Sequence, residues 1–392
     1  MREVFIVAAT RNPFGRFGGT LKELTAAELG AATIREVARQ ANLEGEAINR
    51  VILGNCMGAA TLGQVPARQA DLKADLPDSV PAVAINTACT SALQAAGLGF
   101  ALIRHGEAEV IIAGGMESMS QAPYILPQAR WGYRLGHGQI VDALTNALTC
   151  PISGVQMGVF ASQAANEYGI SRQEQDRWAL RSQQRYQASG KFSDEIAPIE
   201  VQTRKGKIVV TDDEQPRPDA AYEKLAALPP AFEPEGTVTA GNAPGLNDGA
   251  AALVLMSRQA AEARSLEPLA RIVATASAAA APRLINVAPA LAAQNALQKA
   301  NLGEGDIDLW EINEAFAAVT LTAIQILGLD PDLVNVSGGS VAIGHPVGAT
   351  GARILMTLIY ELRRRGGGMG LATICGAGAH GYAMIVEVIS NI

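Results

Sequence analysis

Apolar runs and helical periodicities alternate along the first 118 residues. Val4–Ala9 is an unbroken apolar run that predicts a buried strand, and RNPFGRFGG after it predicts a loop. Leu24, Leu29, Ile34, Val37 and Ala38 recur at helical spacing and predict a helix over Thr25–Ala41. Val51–Leu53 predicts a strand, Pro66–Leu72 a helix and residues 83–86 a third strand. That strand hands over at Cys89 to helical spacing through Leu93, Ala96, Phe100 and Ile103. Glu109–Gly114 is a continuous apolar run of the kind found in central parallel strands. Alternation of this sort defines an α/β layered domain.

The pattern breaks at residue 119. SQAPYILPQARWGYRLGHG is loop-like, with Tyr124, Trp131 and Tyr133 among prolines and glycines. One strong helix is predicted over Arg172–Ala188 with Ser171 as its N-cap, and a polar, Pro-rich stretch follows through 229–236. GNAPGLNDGAAALVLMS at 241–257 returns to the earlier apolar style. The expected organisation is a first domain of residues 1–118 and 245–269, an inserted domain of 119–244, and a last domain of 270–392.

The last domain repeats the first. QANLEGEAINRVILGN (40–55) and KANLGEGDIDLWEINE (299–314) share an ANL tripeptide, an Ile seven residues after the Ala, and a following apolar strand. VAINTACTSALQAA (83–96) corresponds to LVNVSGGSVAIGHPVGATGARI (333–354), in which strand, Gly/Ser-rich turn and helix recur. A duplicated α/β unit with a segment inserted into its first copy accounts for both matches.

Composition narrows the function. A chain of 392 residues that is 48% hydrophobic buries a large core. Only 5% of residues are aromatic while 40 are Gly, which favours close-packed buried sheets over aromatic-layered sandwiches. The net charge of −7 and the absence of a basic stripe argue against nucleic acid. Cys56, Cys89, Cys150 and Cys375 are widely spaced without a CxxC pair, so neither a metal site nor a disulfide framework is expected, and a reducing, cytoplasmic compartment fits. The N-terminus reads as a first strand and no apolar run reaches about 18 residues, so no membrane span is expected.

Four positions carry candidate chemistry. Cys89 stands where a strand gives way to a helix; it is either a small buried residue or a nucleophile whose thiol the helix N-terminus would push towards neutrality. WEINEAFA places Asn313 and Glu314 at a strand's end, where polar groups line ligand crevices. GGSVAIGHPVGATG sets His345 in a Gly-rich turn. TICGAGAHGYAMIVE ends a strand at Cys375, followed by glycines that let a ligand approach the backbone. Each alone also has a structural reading, as turn residue, satisfied loop histidine or core thiol. Cys56 and Cys150 read as packing residues, His105 as a helix-end residue, His137 as a loop residue and His380 as a rim residue.

NTACTSAL, EVIIAGGMESMSQAPY, ISRQEQDRWALRSQ, GTVTAGNAPGLNDGAA, NEAFA, GGSVAIGHPVGATGARI and the C-terminal cysteine loop stand in an order that strongly resembles the thiolase family over nearly the whole chain. The resemblance implies a five-layered α-β-α-β-α thiolase fold with an inserted loop domain, and a homodimer or homotetramer. It implies acetyl-CoA, acetoacetyl-CoA and CoA as substrates, with no permanently bound cofactor and no metal. By the same resemblance Cys89 would carry the acyl group, His345 would take its proton and act with Asn313 on a thioester oxygen, and Cys375 would move the α-proton. The N–H groups of Cys89 and Ala377 would form an oxyanion hole. Leu148, Met157, Ala243, Pro244 and Phe316 would meet the substrate, and Arg217 the adenine or a phosphate of CoA.

Departures from the family pattern are Ala377-Gly378-Ala379 in place of three glycines, Pro244 where a Ser is common, and Gln156 where a His is common. Tyr124, Trp131 and Tyr133 are expected to close the acyl end of the tunnel. Two other functions fit less well. A 3-ketoacyl-CoA thiolase for longer chains shares the motifs, and a non-catalytic lipid-binding relative would have no need of Cys89, Asn313, His345 and Cys375 together. A ketoacyl synthase is disfavoured, since Asn313 and Cys375 occupy positions where histidines would be expected.

Overall fold

The computed structural model describes residues 2–57, 63–190, 192–204 and 206–389. The chain's main sheet is built from β1 (Val4–Arg11), β2 (Arg50–Gly54), β3 (Ala82–Ile85), β4 (Val110–Ser118), β5 (Asn247–Ser257), β6 (Ala270–Ala279), β7 (Leu309–Ile312), β8 (Gly368–Gly376) and β9 (His380–Val388). Their order is β7-β8-β9-β6-β1-β5-β4-β2-β3, and the short strand Gly15–Arg16 adds to β5. In the first half β2 and β4 run parallel while β4–β5 and β5–β1 are antiparallel. The second half copies this pattern, with β7 and β8 parallel and β8–β9 and β9–β6 antiparallel. The halves meet where β1 pairs β6, at Phe5 with Arg271 and Ile6 with Ala270.

The longer helices are α1 (Ala26–Gln40), α2 (Pro66–Lys73), α3 (Ser91–Arg104), α4 (Met157–Glu167), α5 (Arg172–Ser189), α6 (Ala288–Ala300), α7 (Ala317–Leu327) and α8 (Thr350–Arg364). Leu29, Ile34 and Val37 turn one face of α1 inwards, so α1 and α2 cover the outer face of the first half-sheet. Ala290, Ala293 and Leu297 of α6 do the same, with α7, for the second. Between the half-sheets lie α3 and α8, whose Leu93, Ile103, Leu355 and Ile359 pack with Ile52, Leu253, Ile374 and Met384. Five layers result, α-β-α-β-α, because each half-sheet has two apolar faces to cover.

Local signals set the helix ends. The hydroxyl of Thr25 accepts the Glu28 N–H while Glu28 accepts the Thr25 N–H at 2.9 Å, a capping box that starts α1. Ser171 and Glu174 start α5 in the same way. The inserted segment leaves the sheet after β4 and returns at β5, two strands that pair directly. It is fastened to the second half through α5, where Trp178 Nε1 and Ser182 Oγ donate to the buried Glu314 carboxylate at 2.8 and 2.9 Å.

One element differs from the sequence reading, the second-half counterpart of β3. β3 lies at the sheet edge and is only half-buried. Its expected counterpart near residue 334 shrinks to one bridge between Trp310 and Val334. Pro331 begins a short 3-10 turn just before it, and Asn335 takes a left-handed φ of 49° just after, so the strand has no room to extend. The Asn335 side chain replaces the missing ladder by accepting the Ile312 N–H and donating to the Ile312 carbonyl, both at 2.8 Å.

Candidate active site

Strand ends from both halves converge on one apolar pocket lined by Cys89, His345, Cys375, Gly376 and Ala377 among others. Cys89 lies in the turn between β3 and α3. Ala88 before it adopts φ 53°, a conformation that costs an L-residue roughly 1–2 kcal/mol. The turn is held by the Ser91 hydroxyl, which accepts the Thr87 N–H at 2.9 Å and donates to the Ala88 carbonyl at 2.5 Å. Thr90 Oγ1 also donates to the Thr87 carbonyl at 2.7 Å.

The N–H groups of Cys89 itself and of Ala377 interact with the Cys89 sulfur. Their pull towards thiolate is outweighed. Burial, aided by the nearby Glu117 carboxylate, pushes the Cys89 thiol up to about 12. The expectation of a thiol tuned towards neutrality is corrected: desolvation in an apolar pocket exceeds the local backbone dipoles. Cys375, fully buried near the end of β8, is pushed up as well, first by burial and then by the proximity of Cys89.

His345 sits in a turn that only glycine permits. Gly344 has φ 109°, and a Cβ there would lie 2.7 Å from the Asn247 side-chain carbon. Asn247 Oδ1 accepts the His345 N–H at 2.8 Å. The ring Nδ1 lies 2.7 Å from Thr350 Oγ1, whose hydroxyl donates to the Pro346 carbonyl at 2.8 Å. Nε2 is buried and has no partner among the described residues. Burial, then the Arg353 charge, lowers the His345 pKa to about 3, so the imidazole is neutral.

Asn313 is fully buried but is not a lining residue. Arg353 donates to Ser340 Oγ at 2.7 Å, and Ser340 donates to Asn313 Oδ1 at 2.6 Å. The Asn313 amide nitrogen is thereby left as a donor without a protein partner among the described residues.

Leu148, Met157, Ala243, Pro244 and Phe316 line the pocket. Arg217 does not; its guanidinium lies 3.5 Å from the Ala240 carbonyl. Gln156 precedes α4 at its N-cap, makes no side-chain cap bond and stays outside the lining. Of the two alanines after Cys375, Ala379 takes a positive φ of 57° and Ala377 does not. His380 is exposed and outside the pocket.

The aromatic trio is placed differently from its expectation. Trp131 is 89%, Tyr124 69% and Tyr133 39% exposed, and none lines the pocket. Their loop runs over the surface, and the Tyr133 ring folds back on its own Gly138. Two lining or adjoining residues went unrecognised. Cys56, read as packing, lines the pocket beside Cys89 and donates to the Ala88 carbonyl at 3.1 Å. Glu117 is fully buried; it accepts from the Cys56 N–H at 2.9 Å, the Met57 N–H at 3.2 Å and Asn55 Nδ2 at 3.0 Å, and burial raises its pKa to about 7. A lone charge inside the run VIIAGGMES was the signal available. Among the described residues no group of three or more His, Cys, Asp or Glu is placed to hold a metal ion, and no helix is long and apolar enough to cross a membrane.

A half-buried thiol, a buried thiol and a neutral imidazole lining one pocket suit the exchange of acyl groups between sulfur and carbon, and on this duplicated fold they define a thiol-dependent acyltransferase. The thiolase N-terminal domain matches residues 4–259 and the thiolase C-terminal domain matches residues 266–388. An acetyl-CoA acetyltransferase of Escherichia coli strain K12 is 47% identical over 392 residues, covering 99% of each chain. One from Pseudomonas aeruginosa is 48% identical over 389 residues, covering 98% of this chain and 99% of its own. The crystal structure of the Bacillus anthracis acetyl-CoA acetyltransferase superposes with a TM-score of 0.97 at 44% identity, covering 99% of both chains. The chain belongs to the thiolase family.

Proposed function

We propose that the protein catalyses the reversible condensation of two acetyl-CoA molecules to acetoacetyl-CoA and CoA, with the acyl group carried on Cys89. The observation that carries this reading is the convergence of Cys89, His345 and Cys375 on one pocket, with the N–H groups of Cys89 and Ala377 at the Cys89 sulfur. The names of the relatives supply the acetyl-CoA chemistry.

The resting site is uncharged, a thiol beside a neutral imidazole. His345 Nε2 accepts the Cys89 proton as sulfur attacks the thioester carbon, and the proton passes to the departing CoA sulfur. The Cys89 and Ala377 N–H groups hold the tetrahedral oxygen, about 3 kcal/mol per donor. A second acetyl-CoA then enters, His345 takes the Cys375 proton, the thiolate so formed takes the α-proton, and the substrate oxygen is held by the His345 imidazolium, which afterwards returns its proton to Cys89, and, through a water, by Asn313. The carbanion attacks the acyl carbon and Cys89 leaves as thiolate. Splitting one difficult exchange into two steps is the gain from the covalent intermediate.

Leu148, Met157 and Phe316 wall the pantetheine arm in this reading, which their lining of the pocket supports. The half-exposed edge strand β3 and the exposed Tyr124, Leu126, Trp131, Leu135 and Ile140 support assembly into a homodimer or homotetramer. Four free cysteines suit a reducing compartment, and the cytoplasm is the proposed location.

Incubation with acetyl-CoA followed by intact-mass measurement tests the central step. An acetyl adduct is expected on the native chain and is expected to vanish in Cys89→Ala, with thiolysis falling on the order of 10⁴-fold or more. An adduct that survives in that variant sinks the assignment.

A further inference from the structure

Cys89 belongs to a small apolar cluster made by Met57, Met119, Leu144 and Val347, with Cys56 and Leu148 against it. Cys375 belongs to another, with Cys150, Met157 and Ile285. An acyl carbon on Cys89 has three directions besides its bond to sulfur. Its oxygen turns to the Cys89 and Ala377 N–H groups, and the incoming α-carbon arrives from the Cys375 side. The chain beyond the carbonyl is left with the Met57 and Met119 side.

We propose that Met57 and Met119 form the stop that sets the length of the acyl group accepted on Cys89, an inference that rests on the reaction proposed above. Both line the pocket and both are buried. Met119 is the fixed wall, since its sulfur accepts the Asn247 N–H at 3.3 Å, and the same Asn247 holds the His345 backbone. Among the described residues Met57 is held through its backbone N–H on Glu117 and no hydrogen bond fixes its side chain, which is the adjustable wall. Unbranched methionine fills irregular space and yields to substitution more readily than a branched residue. Leu144 closes the cluster behind them without lining the pocket.

The experiment compares kcat/KM for thiolysis of acetoacetyl-CoA and of 3-ketohexanoyl-CoA, which leaves a butyryl group on Cys89. The native protein is expected to prefer acetoacetyl-CoA. Met57→Ala removes the outer part of the side chain, and the ratio in favour of 3-ketohexanoyl-CoA is expected to rise about 10-fold or more, since one methylene in such a pocket is worth 10–200-fold. Met57→Val is expected to move the ratio the same way by less, and serves where Met57→Ala does not fold. Met57→Leu keeps the volume and is expected to leave the ratio within about 3-fold of native. A general loosening of the fold slows both substrates and leaves the ratio alone. An unmoved ratio in both Met57→Ala and Met57→Val, with acetoacetyl-CoA still cleaved, overturns the stop while the reaction stands. A native chain that forms no acetyl adduct at Cys89 overturns both.

Discussion

At matching points of the two half-sheets stand Glu117 and Cys375. The last parallel pairs are Gly54 with Gly115 in the first half and Ile312 with Thr373 in the second. One residue beyond the first strand of each pair is an asparagine, Asn55 or Asn313, and two beyond its partner is Glu117 or Cys375. The halves share a frame and use it differently. In the first, Glu117 accepts from Asn55, Cys56 and Met57, and Asn55 also donates to the Met116 carbonyl at 3.0 Å. In the second, Asn313 Nδ2 and His345 Nε2 find no partner among the described residues. One half spends its polar strand ends on holding the pocket wall, and the other leaves them available to a substrate. Duplication followed by saturation of one copy is a simple route from a symmetric fold to an asymmetric site.

The contrast breaks most visibly at the open half. Cys375→Ala is expected to become acetylated by acetyl-CoA within about 3-fold of the native rate while condensation, and exchange of the acetyl α-protons with deuterated solvent, fall about 10²–10⁴-fold. Mass measurement and deuterium NMR read the two steps separately. Exposed His380 is not placed to substitute, so Cys375→Ala/His380→Ala is expected to match the single variant. Retained condensation in Cys375→Ala that His380→Ala alone abolishes would move the proton transfer to His380.

At the saturated half, Glu117→Gln sharpens the comparison through stability. The carboxyl pKa is raised to about 7 in the folded chain from 4.5, so the native state holds the extra proton in between. Its contribution is present in full below pH 4.5 and is lost as pH rises through 7, worth about 3 kcal/mol. Native stability relative to Glu117→Gln should therefore fall between pH 4.5 and 7, as read by urea unfolding across that range. A difference that is flat or rises with pH contradicts the assignment.

The smallest effect belongs to the loop after Cys375. Ala379→Gly relieves a left-handed alanine at the cost of a more flexible unfolded chain, and a net gain below about 1 kcal/mol is expected in thermal unfolding. A loss larger than that would show the conformation is not strained.

What could be read in advance followed from periodic or paired signals. The strand-to-helix handover at Cys89, the Ser171 cap of α5, and the repeat joining residues 40–55 to 299–314 are local patterns with a physical cause. Tyr124, Trp131 and Tyr133 were misjudged because loop composition carries no information on which way the loop faces. The acidity of Cys89 was misjudged because burial, set by Met57, Met119 and Val347 from distant segments, outweighs the adjacent helix end. Cys56 was missed for the same reason, since its neighbour Ala88 is 32 positions away. Glu117 was within reach: aligning the two copies by their strand ends sets it opposite Cys375.

β1 bears on how the chain is made. Both of its sheet neighbours, β5 and β6, lie beyond residue 246, and what is synthesised before them bonds just its end, where Arg11 bridges Ile196. A ribosome adding about 5–20 residues per second needs roughly 10–50 s to reach them. Throughout that interval an apolar segment with both edges open waits near the start of the nascent chain. The same strand that joins the finished halves is therefore the one left longest without its partners during translation.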